Sequence, residues 1–171
     1  MIHPVAYIDF EVYEESINYI GVAKVTPPDI EQKTTTLKGA GMSGDLNVPL
    51  TGATSNMTLK LDFLSTTGDI VRLMEQRKHQ IEVRACEESW DVENAEVGYW
   101  TDKMVFIAVP RKMSPGEVGS YNTPNASIEF DVYYFAGYRD GVQLWEIDKR
   151  NMKHVVNGTD FMATVRKAIG K

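Results

Sequence analysis

Apolar and polar residues alternate with a period of two over much of the chain, most clearly over residues 126–136. There Ala126, Ile128, Phe130, Val132 and Tyr134 fall on one face and Ser127, Glu129, Asp131 and Tyr133 on the other, the pattern of a half-buried β-strand. Arg139-Asp140-Gly141 then offers an Asp-Gly step suited to a tight turn, so residues 142–147 are expected to return as the second strand of a hairpin. Residues 56–64 alternate as cleanly, with Met57, Leu59, Leu61 and Phe63 inward and Thr58, Lys60 and Asp62 outward. Residues 80–87 put Glu82 and Arg84 on a polar face. Over 5–13, Ala6, Ile8, Phe10 and Val12 oppose Tyr7, Asp9, Glu11 and Tyr13.

Other strands follow from weaker patterns. Residues 18–25 form a strand stopped by Pro27-Pro28, which removes amide donors. Residues 30–37 are Thr-rich and suit a sheet edge, and 99–109 are continuously apolar and so more deeply buried. Two stretches carry helical spacing. Thr66-Thr67-Gly68-Asp69 offers a cap, and Ile70, Leu73 and Met74 recur as one stripe to about residue 78. After Thr159-Asp160, Phe161, Val165 and Ile169 share a face, with Arg166, Lys167 and Lys171 toward the C-terminal end of the dipole. Residues 39–44 and 111–124 are expected to be loops, and 88–98 to be acidic and irregular. The whole is mainly β: an antiparallel β-sandwich or open barrel of about seven or eight strands with one or two short α-helices, as one domain over 1–171.

Composition narrows the function. At 171 residues, 43% hydrophobic and 25% charged, the chain can bury one sizeable core. No apolar run approaches the roughly 18 residues of a membrane-spanning helix, and the first residues do not form a signal peptide. A formal net charge of −6 argues against tight binding to duplex DNA, which depends on phosphate neutralisation. The charge is unevenly spread. Residues 1–31 hold six acids against Lys24 alone, whereas residues 138–171 hold seven bases against four acids, a balance that suits self-association through unlike patches.

Chemistry is sparse. Cys86 is the sole cysteine and its neighbours Glu87 and Glu88 would disfavour a thiolate. His3, His79 and His154 have no ligand spacing and are expected at the surface or sheet edges, so no metal or cofactor is implied. Gly39-Ala40-Gly41-Met42-Ser43-Gly44 satisfies Gly-x-Gly-x-x-Gly, but the preceding strand is polar and Asp45 and Pro49 stand where a helix should start, so a nucleotide site is not supported. A loop approaching another backbone is the better reading. Glu129 and Asp131, two apart on one strand, could serve as acid and base of a hydrolase, although polar strand faces carry such pairs routinely.

Two motifs go further. Gly39-Ala40-Gly41-Met42, Gly44 and a short apolar strand after them form the first. Glu146-Ile147-Asp148, Asn151, Val156-Asn157-Gly158 and Asp160 form the second. In their order, separation and the length of the chain around them, the sequence resembles the major tail tube proteins of contractile-tailed bacteriophages or of phage-tail-like bacteriocins. The likeness covers nearly the whole chain and is weakest in the first thirty residues.

The resemblance implies a non-enzymatic structural subunit, made in a bacterial cytoplasm and assembled into a virion tail or an extracellular tail-like particle. It implies hexameric rings that stack into a rigid tube, neighbouring sheets joined around a channel, and passing DNA as non-specific cargo. The other implied partners are a sheath protein, a baseplate initiator and a tape-measure protein. On that basis Thr58, Lys60, Asp62, Glu82, Arg84, Glu129 and Asp131 are candidates for the channel wall. Gly39, Gly41, Met42, Ser43, Gly44, Asp45 and Leu46 are candidates for a loop reaching a neighbour, and Arg72, Glu75, Arg166 and Lys167 for sheath contact. A monomeric ligand-binding β-barrel and a hydrolase using Glu129 and Asp131 are the alternatives.

Overall fold

The structure is a computed structural model that describes residues 1–41 and 43–171. Its strands are β1 (Ile2–Glu14), β2 (Asn18–Ile20), β3 (Lys24–Thr26), β4 (Gln32–Leu37), β5 (Leu46–Thr54), β6 (Thr58–Asp62), β7 (His79–Asp91), β8 (Glu96–Ser114), β9 (Ser127–Arg139), β10 (Val142–Asp148), β11 (Lys153–Val156) and β12 (Thr159–Asp160). The helices are α1 (Gly68–Leu73) and α2 (Ala163–Ala168). Every pairing among the described residues is antiparallel, as the alternation predicts.

The sheet runs β12-β11-β10-β9-β8-β7-β1-β2, and β9 carries a branch to β6 and then β3. Because β2 and β3 are nearly consecutive in the chain, the path β1-β7-β8-β9-β6-β3 returns to β1 through residues 21–23 and encloses a barrel. The joint is where the expected single strand 18–25 divides. Val22 N–H turns back to Ile20 O (3.0 Å) and Ala23 N–H crosses to Asp62 O (2.8 Å), so one half pairs with β1 and the other with β6.

Inside lie Val12, Ile20, Leu59, Leu61, Phe63, Ile81, Phe106, Ile128 and Phe130, all essentially without solvent contact. Each fully buried side chain of this size stabilises the fold by roughly 1.5–3 kcal/mol. Ile70 and Leu73 of α1 belong to the same core and plug one end of it. Among the described residues no helix is long and apolar enough to cross a membrane.

Several elements differ from expectation for local reasons. The period-two pattern of β9 slips at Tyr133, a bulge that lies between the pairs Ala108–Val132 and Ile107–Tyr134. Phe135 therefore points inward, at 2% exposure, while Tyr134 turns outward to bond Glu146. At the same bulge β9 exchanges one partner, β6, for another, β10. A second bulge, between Tyr7 and Asp9 of β1, leaves Ile8 unpaired and 58% exposed.

The helix expected to reach residue 78 stops at Leu73, because Arg77 is drawn back to Glu14 and Glu15 and the Glu75 carbonyl is taken by His79. The region 88–98, expected to be irregular, is mostly ladder, since β7 and β8 pair out to Asp91 and Glu96. The short apolar strand after the Gly-rich run is longer than expected: β5 runs from Leu46 to Thr54 and pairs with β4 as a separate two-stranded sheet. Two of the three histidines are interior, His79 at 0% and His154 at 6% exposure, not at the surface.

Candidate functional site

β6 lies along the first half of β9, and the ladder sets Thr58 opposite Asp131, Lys60 opposite Glu129 and Asp62 opposite Ser127. Their neighbours Leu59, Leu61, Ile128 and Phe130 fill the core, so the pleat turns the polar set together onto the outer face. Arg111 of β8 joins them. Its Nη2 donates to Glu129 (2.7 Å), its Nε stands 3.7 Å from Asp131, and Lys60 pairs with Asp62 at 3.0 Å. Lys24 of β3 stands opposite Asp62. A groove of about 470 Å³ beside this face is lined by Asp29, Glu31, Thr58, Lys60, Arg111 and Glu129, among others. Partly exposed ion pairs of this kind contribute only about 0–1 kcal/mol each, so stability does not account for the cluster.

Five of the seven channel candidates thus share one surface. Glu82 and Arg84 do not join them. Glu82 is enclosed at 2% exposure, where it accepts bonds from Ser16 (2.7 Å) and Arg84 (2.6 Å) and lies 3.3 Å from Lys103. Burial pushes its carboxyl up, and those three partners outweigh burial and hold it below the usual carboxylate range. Arg84 also lies over the Tyr13 ring at 4.5 Å.

The hydrolase reading finds no geometry to sustain it. Glu129 and Asp131 face one guanidinium, and Asp131 does not line the groove, so the pair does not flank a substrate bond. No group of three or more potential metal ligands is present among the described residues.

The Gly-rich segment forms the tip of the β4–β5 hairpin, beyond the pair Leu37–Leu46. Gly41 and Gly44 have φ of 94° and 112°, and nothing lies within 4 Å of where a Cβ on Gly39, Gly41 or Gly44 would sit. The close backbone approach expected of these glycines is therefore not made among the described residues. Ser43 and Asp45 are exposed at the tip with them, and Met42 lies outside the described residues. Lys38 pairs with Asp45 across the tip at 3.1 Å.

The second motif builds the far end of the sheet. Glu146 accepts a bond from Lys153 (2.9 Å), and Ile147 enters the core. Asp148 accepts from the backbone amides of Arg150 and Asn151 and from the Asn151 side chain, which folds the β10–β11 turn. Asn157 and Gly158, at φ of 49° and 78°, make the β11–β12 turn. Asp160 accepts from Met162 N–H (3.0 Å) and from Arg166, and so positions α2. The bond to Arg166, first in effect, holds the Asp160 carboxyl below its usual range against the opposing effect of burial.

Of the sheath candidates, Arg166 is engaged by Asp160 and the Met152 carbonyl, whereas Lys167 makes no ion pair among the described residues. Arg72 is bound to Glu14 (2.8 Å), and the Glu75 carboxylate accepts from Arg77 (2.8 Å).

Two polar clusters were not visible in the sequence. Under α1, the Glu14 carboxylate, 1% exposed, meets Arg72, Arg77 and His79. His79 Nδ1 lies 2.5 Å from Glu14 and Nε2 3.0 Å from the Glu75 carbonyl, so both ring nitrogens are engaged. On the other side, Arg139 grips Asp102 through two 2.7 Å bonds, also reaches Glu87, and lies over Trp100 at 4.8 Å. Tyr7 donates to Asp102 (2.9 Å), and burial together with that carboxylate pushes its phenol up to about 12. The partners in each cluster are 37 to 95 residues apart, so no local spacing marks them.

Residues 6–170 match the model of one family, phage tail tube protein FII. The chain belongs to that family. It is a structural tail tube subunit of phage-like contractile tails, and neither the monomeric binding barrel nor the hydrolase is favoured. Two solved structures share the fold. One is a chain of the sheath/tube terminator of an extracellular contractile injection system, PVC, in the extended state, at TM-score 0.55 and 14% identity over 80% of this chain and 97% of that one. The other is a chain of the extended PVC sheath-tube complex, at TM-score 0.57 and 14% identity over 80% of this chain and 92% of that one. No curated protein matches the tail tube chain by sequence.

Proposed function

We propose that this tail tube protein forms hexameric rings that stack into the rigid inner tube of a contractile tail, and that the β6–β9 polar face lines the channel. The observation that carries the channel assignment is the gathering of Thr58, Lys60, Asp62, Glu129 and Asp131 on one outer face, where Lys60 and Arg111 are held in ion pairs with the acids. An ion-paired wall of mixed charge offers phosphates no run of free cations, so DNA passes without adhering. The β4–β5 tip, Gly39 to Leu46, reaches the next subunit or ring, where its glycines meet a neighbour's backbone.

Assembly takes place in the bacterial cytoplasm on a baseplate initiator, to a length set by a tape-measure protein, and the finished tube is gripped by a sheath. Charged surfaces at the two helices, with Arg72 on α1, Glu75 just beyond its end, and Arg166 and Lys167 on α2, face that sheath. Replacing both channel carboxylates, Glu129→Lys with Asp131→Lys, tests the wall. Tubes should still assemble while DNA release from the particle slows; unchanged release would remove the β6–β9 face from the channel.

A further inference from the structure

The apolar stripe at α2, Val165 within the helix and Ile169 at its C-cap, is 37% and 56% exposed, and α2 buries none of its residues. Phe161, two residues before the helix, is 51% exposed and meets the His154 ring edge-on at 6.4 Å. At the other end of the sheet order lies an apolar groove of about 270 Å³ between β1 and β3. Tyr7, Phe10, Val25, Val83, Ala85 and Met104 give it walls that are almost wholly apolar. Ala23 and Lys24, where β2 and β3 separate, also line it, and Tyr7 stands next to the unpaired Ile8.

We infer that the α2 stripe of one copy seats in the β1–β3 groove of a second copy, a head-to-tail contact that joins subunits within the ring. The inference rests on the tail tube reading above, which requires unlike surfaces to meet around a closed ring. Two observations select this occupant. The knob and the groove lie at opposite ends of the strand order, α2 after β12 and the groove beside β1 and β2, so one contact repeated from copy to copy propagates and cannot saturate in a pair. The two ends also carry opposite charge. Around α2, residues 149–171 hold six bases against Asp160, and on β1 Asp9 and Glu11 are exposed beside the groove-lining Tyr7 and Phe10, so long-range attraction orients the α2 end of one subunit toward the β1 end of the next. Lys167, two residues from Val165 and about 200° around the helix, stays on the opposite side, free for the sheath.

Two variants block one end each at exposed positions. Val165→Asp spoils the knob and leaves the groove, while Ala23→Trp fills the groove from its exposed wall and leaves the knob. Unchanged circular dichroism and thermal midpoint confirm that each folds. Sedimentation velocity and negative-stain microscopy then compare wild type, each variant and their equimolar mixture, with and without baseplate seeds.

Each variant alone should need at least a tenfold higher concentration to assemble, and the mixture should give a heterodimer that grows no further. Wild-type tubes together with variants that assemble equally well would overturn the contact and leave the tube reading standing. Homodimers of Ala23→Trp alone would show a knob-to-knob contact, and no heterodimer above the wild-type assembly concentration would equally overturn the proposal. A wild-type chain that never forms rings, even on seeds, would overturn the tube reading and the contact with it.

Discussion

The indole of Trp145 lies flat against Gly137 across the β9–β10 ladder, filling the space that a Cβ on Gly137 would occupy. The same ring packs edge-on to Phe135 at 5.5 Å, and Phe135 stacks on Phe106 at 4.7 Å, so the glycine sets the position of an aromatic row. Gly137→Ala must displace the indole. It should destabilise the monomer by roughly 1–3 kcal/mol, the usual cost of overpacking, with a change in tryptophan fluorescence. Chemical denaturation followed at that fluorescence checks both.

Glu14 gives the fold an acid limit. Burial acts to raise its carboxyl, but the bonds from His79 and Arg72, with the charges of His79 and Arg77, hold it below its ordinary value. A carboxyl lowered in the folded state contributes stability that is fully present above its unfolded value. That contribution disappears as pH falls through roughly 4 and below. Glu14→Gln should lower stability at neutral pH by about 3 kcal/mol, the low end for a broken buried pair because Arg72 and Arg77 keep some water. It should also flatten the acid side of the profile. Denaturant midpoints across pH 3 to 7, roughly this window, measure both effects.

Gly52 anchors the C-terminal unit. Its φ is 68°, and the Met162 side chain occupies the place of the missing Cβ. Gly52→Ala combines backbone strain with a clash and should cost more than about 1 kcal/mol. The loss should be local: trypsin should cut after Arg166 and Lys167 faster in the variant, while the barrel core exchanges its amides at the original rate.

The sequence revealed the strands of the barrel wall because one face of each is buried, and it placed the Asp140-Gly141 turn, where both residues have positive φ. It did not reveal the slips at Ile8 and Tyr133, since a bulge changes the face of later residues without changing composition. The extent of the Leu46–Thr54 strand was not legible, because its partner is a single exposed strand and no buried face imposes alternation. Of the channel candidates, β6 and β9 came together because the polar positions of two adjacent strands share a face. Glu82 read as an ordinary polar position, because the side chains that enclose it, Ser16 and Lys103, come from distant parts of the chain.

The central claim is that this chain assembles into rings around a channel. Negative-stain electron microscopy of the purified protein over a range of concentrations, with and without baseplate seeds, addresses it most directly. Six-fold rings with a central hole, stacking into striated tubes as concentration rises or on the seeds, are the expected result. A monomer that persists at every concentration and ignores the seeds would contradict the account.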